Sequence, residues 1–237
     1  MTGRLIGIGV GPGDPELLTL KAARAIDTAP VVAYPAPDSG ESFARSIVAD
    51  RLAGKREIPI VVPMRTERFP ARDVYDRAAI AIRAELDAGA DVAVLCEGDP
   101  FFYGSFMYLF ERLAADYETH VVPGVSSLAA SSAALRQPLA ERNDVVTVVP
   151  GPSPDEAIGN ALARGGPVVF IKVGRHLARL RELIEVAGRL PSALYIERAT
   201  LPNQRIARLA DADAAAPYFS MILVPGGDGW RNPHAVS

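Results

Sequence analysis

The chain alternates short runs of apolar, β-branched-rich residues with longer stretches of helical periodicity, and most of the short runs carry no polar residue on either face. A strand with one wet face alternates apolar with polar. A strand apolar throughout must be covered on both sides, so these runs belong to sheets clad by helices. The expected strands are Leu5 to Val10, Pro30 to Tyr34, Ile58 to Val62, Val92 to Cys96, His120 to Val122, Val145 to Val149, Val168 to Val173, Ala193 to Ile196 and Ser220 to Val224. Between them the periodicity predicts helices at Glu16 to Asp27, Glu41 to Ala53, Asp73 to Ala88, Gly104 to Ala115, Ser126 to Leu135, Pro154 to Ala163 and His176 to Ala187. The fold class is α/β. So many strands exceed what one small sheet holds, and the 237 residues are expected to form two successive α/β domains, 1–124 and 125–237. Gln204 to Asp213 has only weak helical character and reads as an antiparallel strand, which would make the second sheet mixed.

Two helix starts carry chemical marks. Ser153-Pro154-Asp155-Glu156 has the order of a capping box, with Ser153 as N-cap, proline at the first helical position and Glu156 three residues on. Asp14-Pro15-Glu16 offers a carboxylate cap, then proline, then an acid in the first turn.

Charge and cysteine usage narrow the function classes. With 25 Lys and Arg against 28 Asp and Glu the formal charge is -3, which argues against a grip on nucleic-acid phosphates. The single cysteine, Cys96, cannot form an internal disulfide, and His120, His176 and His234 lie too far apart for zinc spacing, so no protein-bound metal is expected. Leu5 to Val10 lacks the basic flank and length of a secretory signal, and no run approaches the ~20 apolar residues of a membrane span. A cytoplasmic protein away from the membrane is the expectation.

Three loops follow apolar runs, where open α/β sheets hold ligands. The first, Gly7-Ile8-Gly9-Val10-Gly11-Pro12-Gly13-Asp14, has Pro12 or Asp14 where a dinucleotide fingerprint needs its third glycine, and the chain has no Gly-Lys followed by Ser or Thr for a Walker A loop. It is either a site of close backbone approach or a tight turn with no ligand. In the second, Cys96-Glu97-Gly98-Asp99-Pro100-Phe101-Phe102-Tyr103-Gly104, Gly98 stands between two carboxylates that can accept from ribose hydroxyls or an ammonium group; Asp99-Pro100 also reads as a helix entry. The third, Pro123-Gly124-Val125-Ser126-Ser127, brings two hydroxyls to a helix start.

Six of the fifteen Phe and Tyr residues fall between Phe101 and Phe110. Periodicity sends Phe106 and Phe110 to the core, whereas Phe102 and Tyr103 at the loop can wall a large flat ligand. Lys172 ends an apolar run, where a charge needs a partner or a route to the surface. His176 reads as a surface-helix residue, and Gly124-Val125-Ser126-Ser127-Leu128 lacks the second glycine of a nucleophile elbow. Group transfer by alignment of two ligands fits better than covalent hydrolysis. No catalytic residue is named.

Taken together, Gly9-Val10-Gly11-Pro12-Gly13-Asp14-Pro15-Glu16-Leu17-Leu18-Thr19, Glu97-Gly98-Asp99-Pro100 and Pro123-Gly124-Val125-Ser126-Ser127 resemble the tetrapyrrole methylases over most of the chain. Within that family, Cys96 to Leu109, Lys172 to His176, Glu197 to Thr200 with Pro202, Gln204 and Arg205, and Ala216 to Ser220 are similar to the branch that methylates carbon 20 of a precorrin-2-type macrocycle in cobalamin synthesis. The resemblance implies two α/β domains with mixed sheets and the active site in the cleft between them, a homodimer, and S-adenosylmethionine as methyl donor in a folded form. Carried over by position, it implies that Pro12 lies beside the donor, that Glu97, Gly98 and Asp99 form the loop holding it, and that Ser126 and Ser127 meet it at a helix start. Lys172 or Val173, and Ala199, would line its adenosine side. Pro225 to Ser237 receives no role. The alternatives are a sister methylase acting on another ring carbon, a relative modifying RNA or protein, which the acidic balance disfavours, and a non-catalytic nucleotide-binding module.

Overall fold

Leu5 of the first apolar run packs into one core and its neighbours Ile6 and Ile8 into another, so strand β1 (Leu5–Gly9) is covered on both faces as its composition requires. The computed structural model describes residues 1–62 and 71–226, and the chain divides into two compact units, Met1–Ser126 and Ser127–Ser237.

In the first unit β1 is joined by β2 (Val31–Pro37), β3 (Arg56–Val62), β4 (Val92–Cys96) and β5 (Thr119–Val122) in the order β3-β2-β4-β1-β5, with every pairing parallel. One face, including Leu5, Val31, Val92, Val94 and Cys96, packs against α3 (Ala71–Asp87) and α4 (Phe106–Leu113). The opposite face, including Ile6, Ile8, Val32, Ala93 and Leu95, packs against α1 (Leu20–Thr28) and α2 (Phe43–Ile47). The chain leaving β1 therefore enters the helical layer of one face and the chain leaving β4 that of the other. Such a divergence of adjacent parallel strands opens a crevice at their C-terminal ends.

The second unit holds α5 (Ser127–Leu135), β6 (Thr147–Pro150), α6 (Asp155–Ala163), β7 (Val168–Ile171), α7 (Leu177–Val186), β8 (Leu194–Glu197), β9 (Arg205–Arg208) and β10 (Ser220–Val224). Its sheet runs β6-β7-β10-β8-β9, parallel only between β6 and β7. Mixing is thus confined to this unit, where the segment from Gln204 supplies β9 antiparallel to β8 and then turns at Leu209–Asp211.

Several local expectations are corrected. The helix expected over Glu16 to Asp27 is two elements: a 3-10 turn at Pro15–Leu17, capped by Asp14 accepting from the Glu16 N–H at 2.8 Å, then α1, capped by Thr19 accepting from the Ala22 N–H. Ser153 is not a cap. Pro154 takes the N-cap position with an extended backbone, and its carbonyl accepts the first helical bond from Ile158. The helix expected over Glu41 to Ala53 narrows to α2 and a 3-10 turn at Ala49–Arg51. The strand expected over Val168 to Val173 stops at Ile171, because Lys172 has a left-handed φ of 55° and cannot continue the pleat; its side chain is exposed. Phe106 is fully buried, but Phe110 lies 37% exposed, its ring edge-on to Phe101 at 5.2 Å. Residues 227–237 of the C-terminal stretch lie outside the described residues.

Candidate functional site

The loops after β1, β4 and β5 meet at the C-terminal edge of the first sheet. Gly98 donates to the Gly11 carbonyl at 2.8 Å and accepts from the Gly11 N–H at 3.3 Å, a single antiparallel bridge between the first two loops. Gly98 has φ 64°, a conformation that favours glycine. Gly9 and Gly124 pack main chain against main chain beneath that bridge: a Cβ on Gly9 would stand 2.5 Å from the Gly98 oxygen and 2.6 Å from the Gly124 nitrogen. The sequence leaves the first loop, with Gly9, as either a site of close backbone approach to a ligand or a tight turn with no ligand. Within the protein, the close approach at Gly9 and Gly124 is of one loop to another.

Asp99 likewise turns inward. Its carboxylate accepts from the N–H groups of Phe101, Phe102 and Gly124. Asp99-Pro100 announces the first two bonds as a turn; the third depends on β5 lying beside β1, which no local pattern reports. Glu97 is partly buried, and burial pushes its carboxyl above the usual carboxylate range, with main-chain N–H groups of its own residue and Ala44 pulling the other way. Neither carboxylate is paired with a lysine or arginine among the described residues. The Glu97 carboxyl is an acceptor suited to a ligand carrying positive charge or hydroxyl groups. Cys96 behind them is buried, and its thiol is pushed up to about 12 by burial and then by the Glu97 charge, so it stays protonated at neutral pH and is no nucleophile.

Glu97 gives the site a pH signature. A carboxyl whose folded value lies above its unfolded value of about 4.3 holds its proton more tightly in the folded state, so its contribution to stability is present at low pH and lost as pH rises through the folded value. Glu97→Gln should therefore melt above the wild-type protein at pH 8, with the gap closing toward pH 4. A gap independent of pH would remove the assignment.

Pro12 lies half-buried in the first loop, and Phe102 and Tyr103 are exposed on the second, their rings edge-on at 5.1 Å. Tyr103 adopts φ 56°, a strained conformation for a bulky residue. Ser126 ends the first unit, and Ser127 opens α5 in the second.

Lys172 and Ala199 stand at one edge of the second sheet: β7 and β8 both run antiparallel to β10, hence parallel to each other, and end on the same side. Val173 differs. Its side chain is fully buried in the core beside α7, so only its main chain can face a ligand. Left-handed φ values at Lys172, Arg198 and Thr200 mark this edge as strained, which no sequence pattern announced. Glu197, buried at the end of β8, accepts from the Tyr195 hydroxyl at 2.8 Å and from Arg198 at 2.9 Å, with Arg205 3.6 Å away. Among the described residues no group of three His, Cys, Asp or Glu side chains converges as a metal site would need, and no helix is long and apolar enough to cross a membrane.

Comparison with known proteins finds a family model, Tetrapyrrole (Corrin/Porphyrin) Methylases, matching residues 4–213. A precorrin-2 C(20)-methyltransferase of Sinorhizobium sp is 42% identical over 97% of each chain. A cobalt-precorrin-2 C(20)-methyltransferase of Salmonella typhimurium is 34% identical over 94% of this chain and 97% of its own. Among solved structures, uroporphyrin-III C-methyl transferase from Thermus thermophilus complexed with S-adenyl homocysteine superposes with a TM-score of 0.69 at 27% identity, covering 93% of this chain and 97% of that one.

Proposed function

The chain belongs to the tetrapyrrole (corrin/porphyrin) methylases, and from that membership we propose that it transfers one methyl group from S-adenosylmethionine to carbon 20 of precorrin-2 or its cobalt complex, a step of cobalamin biosynthesis. The observation that carries this reading is the 42% identity to the Sinorhizobium precorrin-2 C(20)-methyltransferase, sustained over 97% of both chains rather than over the three glycine loops alone.

When bound, S-adenosylmethionine supplies a methyl group on a sulfonium, which needs no acid to leave. The task left to the protein is to align donor and acceptor and to keep water out. In our reading Pro12, Glu97, Gly98, Ser126 and Ser127 hold the donor from the strand-end loops, with Lys172, the main chain of Val173 and Ala199 as its further contacts, while Asp99 belongs to the same loop as Glu97 and Gly98. The carboxylate of Glu97 complements a cationic group. Phe102 and Tyr103 offer apolar ring faces to the macrocycle. Arginine side chains are the natural partners of its carboxylates.

The test is incubation with enzymatically generated, reduced precorrin-2, with and without cobalt, and carbon-13-labelled methyl donor. One labelled methyl on carbon 20 is expected. Two added methyl groups, or one at another carbon, would replace this reading with that of a sister methylase. Binding of the donor without turnover on any tetrapyrrole would support a non-catalytic module. We further propose a homodimer, on family resemblance; sedimentation equilibrium at micromolar concentration near the 25.2 kDa monomer mass would remove that part.

A further inference from the structure

The Asp99 carboxylate is more heavily engaged within the protein than a ligand-holding group need be. Its Oδ1 accepts from the N–H groups of Phe101 at 2.9 Å and Phe102 at 3.1 Å, and its Oδ2 accepts from the N–H of Gly124 at 3.1 Å. A carboxylate offers about four acceptor positions, so most of its capacity is spent on main chain. The preceding residue is engaged as well, since both main-chain groups of Gly98 bond to Gly11. Consecutive residues of the β4 loop thus tie it to the other two loops of the site, Gly98 to the β1 loop through main chain and Asp99 to the β5 loop through its side chain.

We propose that Asp99 is a positioning residue: its carboxylate clasps the β4 loop to the β5 loop and so fixes the donor pocket, rather than touching the methyl donor itself. This inference rests on the methyl-donor reading above and deepens it. The chemistry explains why a carboxylate stands here. An asparagine has one oxygen, enough for Phe101 and Phe102, but its amide nitrogen would then face the Gly124 N–H, donor against donor. A serine hydroxyl can serve the local N–H groups as a turn but is too short to reach across to the next loop. Both substitutions keep the turn and release Gly124.

The experiment compares Asp99→Asn and Asp99→Ser with the wild-type protein by amide hydrogen exchange and by calorimetric binding of three ligands. These are S-adenosylhomocysteine, 5′-methylthioadenosine, which lacks the amino-acid part, and the 2′,3′-dideoxy form of the latter, which also lacks the ribose hydroxyls. Exchange at Gly124 should accelerate in both variants while amides of Leu5–Gly9 and Val92–Cys96 keep their wild-type rates. Affinity for all three ligands should fall by one common factor, roughly tenfold, the equivalent of one lost charge-assisted bond. A loss confined to S-adenosylhomocysteine would make Asp99 a partner of the amino-acid part, and a loss absent only from the dideoxy ligand would make it a ribose ligand; either overturns the proposal. So does unchanged exchange at Gly124, or acceleration spread over the strands, which would mean general loosening. If the wild-type protein binds none of the ligands, the methyl-donor reading fails, whereas Gly124 exchange still decides whether Asp99 holds the β5 loop.

Discussion

Gly124→Ala should destabilise the protein by about 3 kcal/mol or more, at the upper end of what overpacking by a single methyl group costs. The new Cβ would lie 2.8 Å from two main-chain atoms of Gly9 and closer still to the Gly98 oxygen, and none of these can swing aside as a side chain would. Relief requires the β5 loop to lift away from the other two, so donor binding should fall with stability. Gly159→Ala is the internal control. Gly159 lies inside α6, where an added Cβ would meet nothing within 4 Å, and the same chemical change there should stabilise by about 0.5–1 kcal/mol through helix propensity. Denaturant midpoints of the two variants should move in opposite directions; a shared direction would mean that the three-loop contact is looser than described.

Glu197→Ala should be the second large loss, about 2–3 kcal/mol in denaturant unfolding. Removing this carboxylate strips the acceptor from the buried Tyr195 hydroxyl and leaves Arg198 and Arg205 facing its site. Breaking a fully buried ion pair costs about 3–5 kcal/mol, but both arginines reach solvent and can turn toward it, which sets the lower figure. The Tyr195 hydroxyl, now held from ionising first by burial and then by Glu197, should ionise at lower pH in the variant. A loss below about 1 kcal/mol would mean that water replaces the carboxylate at the end of β8.

How far the sequence reveals the fold depends on what each segment faces. β4 and β10 have the boundaries their apolar runs announce, since every residue in them is buried. β2 runs on to Pro37, past the expected end at Tyr34, because β4 pairs only with Val31 to Ala33 while β3 stays alongside to the end. Prolines 35 and 37 are thus accommodated where one side of the strand is open. Val145, expected to open the sixth strand, is 71% exposed, and pairing with β7 begins at Thr147. Within the candidate site, glycine and Asp-Pro signals mark the loops. The contact of Gly9 with Gly124 and the bond from Gly124 to Asp99 are invisible, because they depend on neighbours more than twenty residues away that only the sheet order brings together.

That sheet order also has a consequence for synthesis. β1 leaves the ribosome before the other strands described, and both of its partners, β4 and β5, come much later, beginning at Val92 and Thr119. At an elongation rate of about 5–20 residues per second, Leu5–Gly9 waits roughly 4–17 seconds for its first neighbour, with apolar side chains on both faces and no edge paired. Its own β-hairpin is ruled out by the parallel pairing, so nothing local can shelter it. Among the described strands, β1 is therefore the one that a nascent chain must shield longest from intermolecular pairing, and it is a target for a chaperone that recognises short apolar segments.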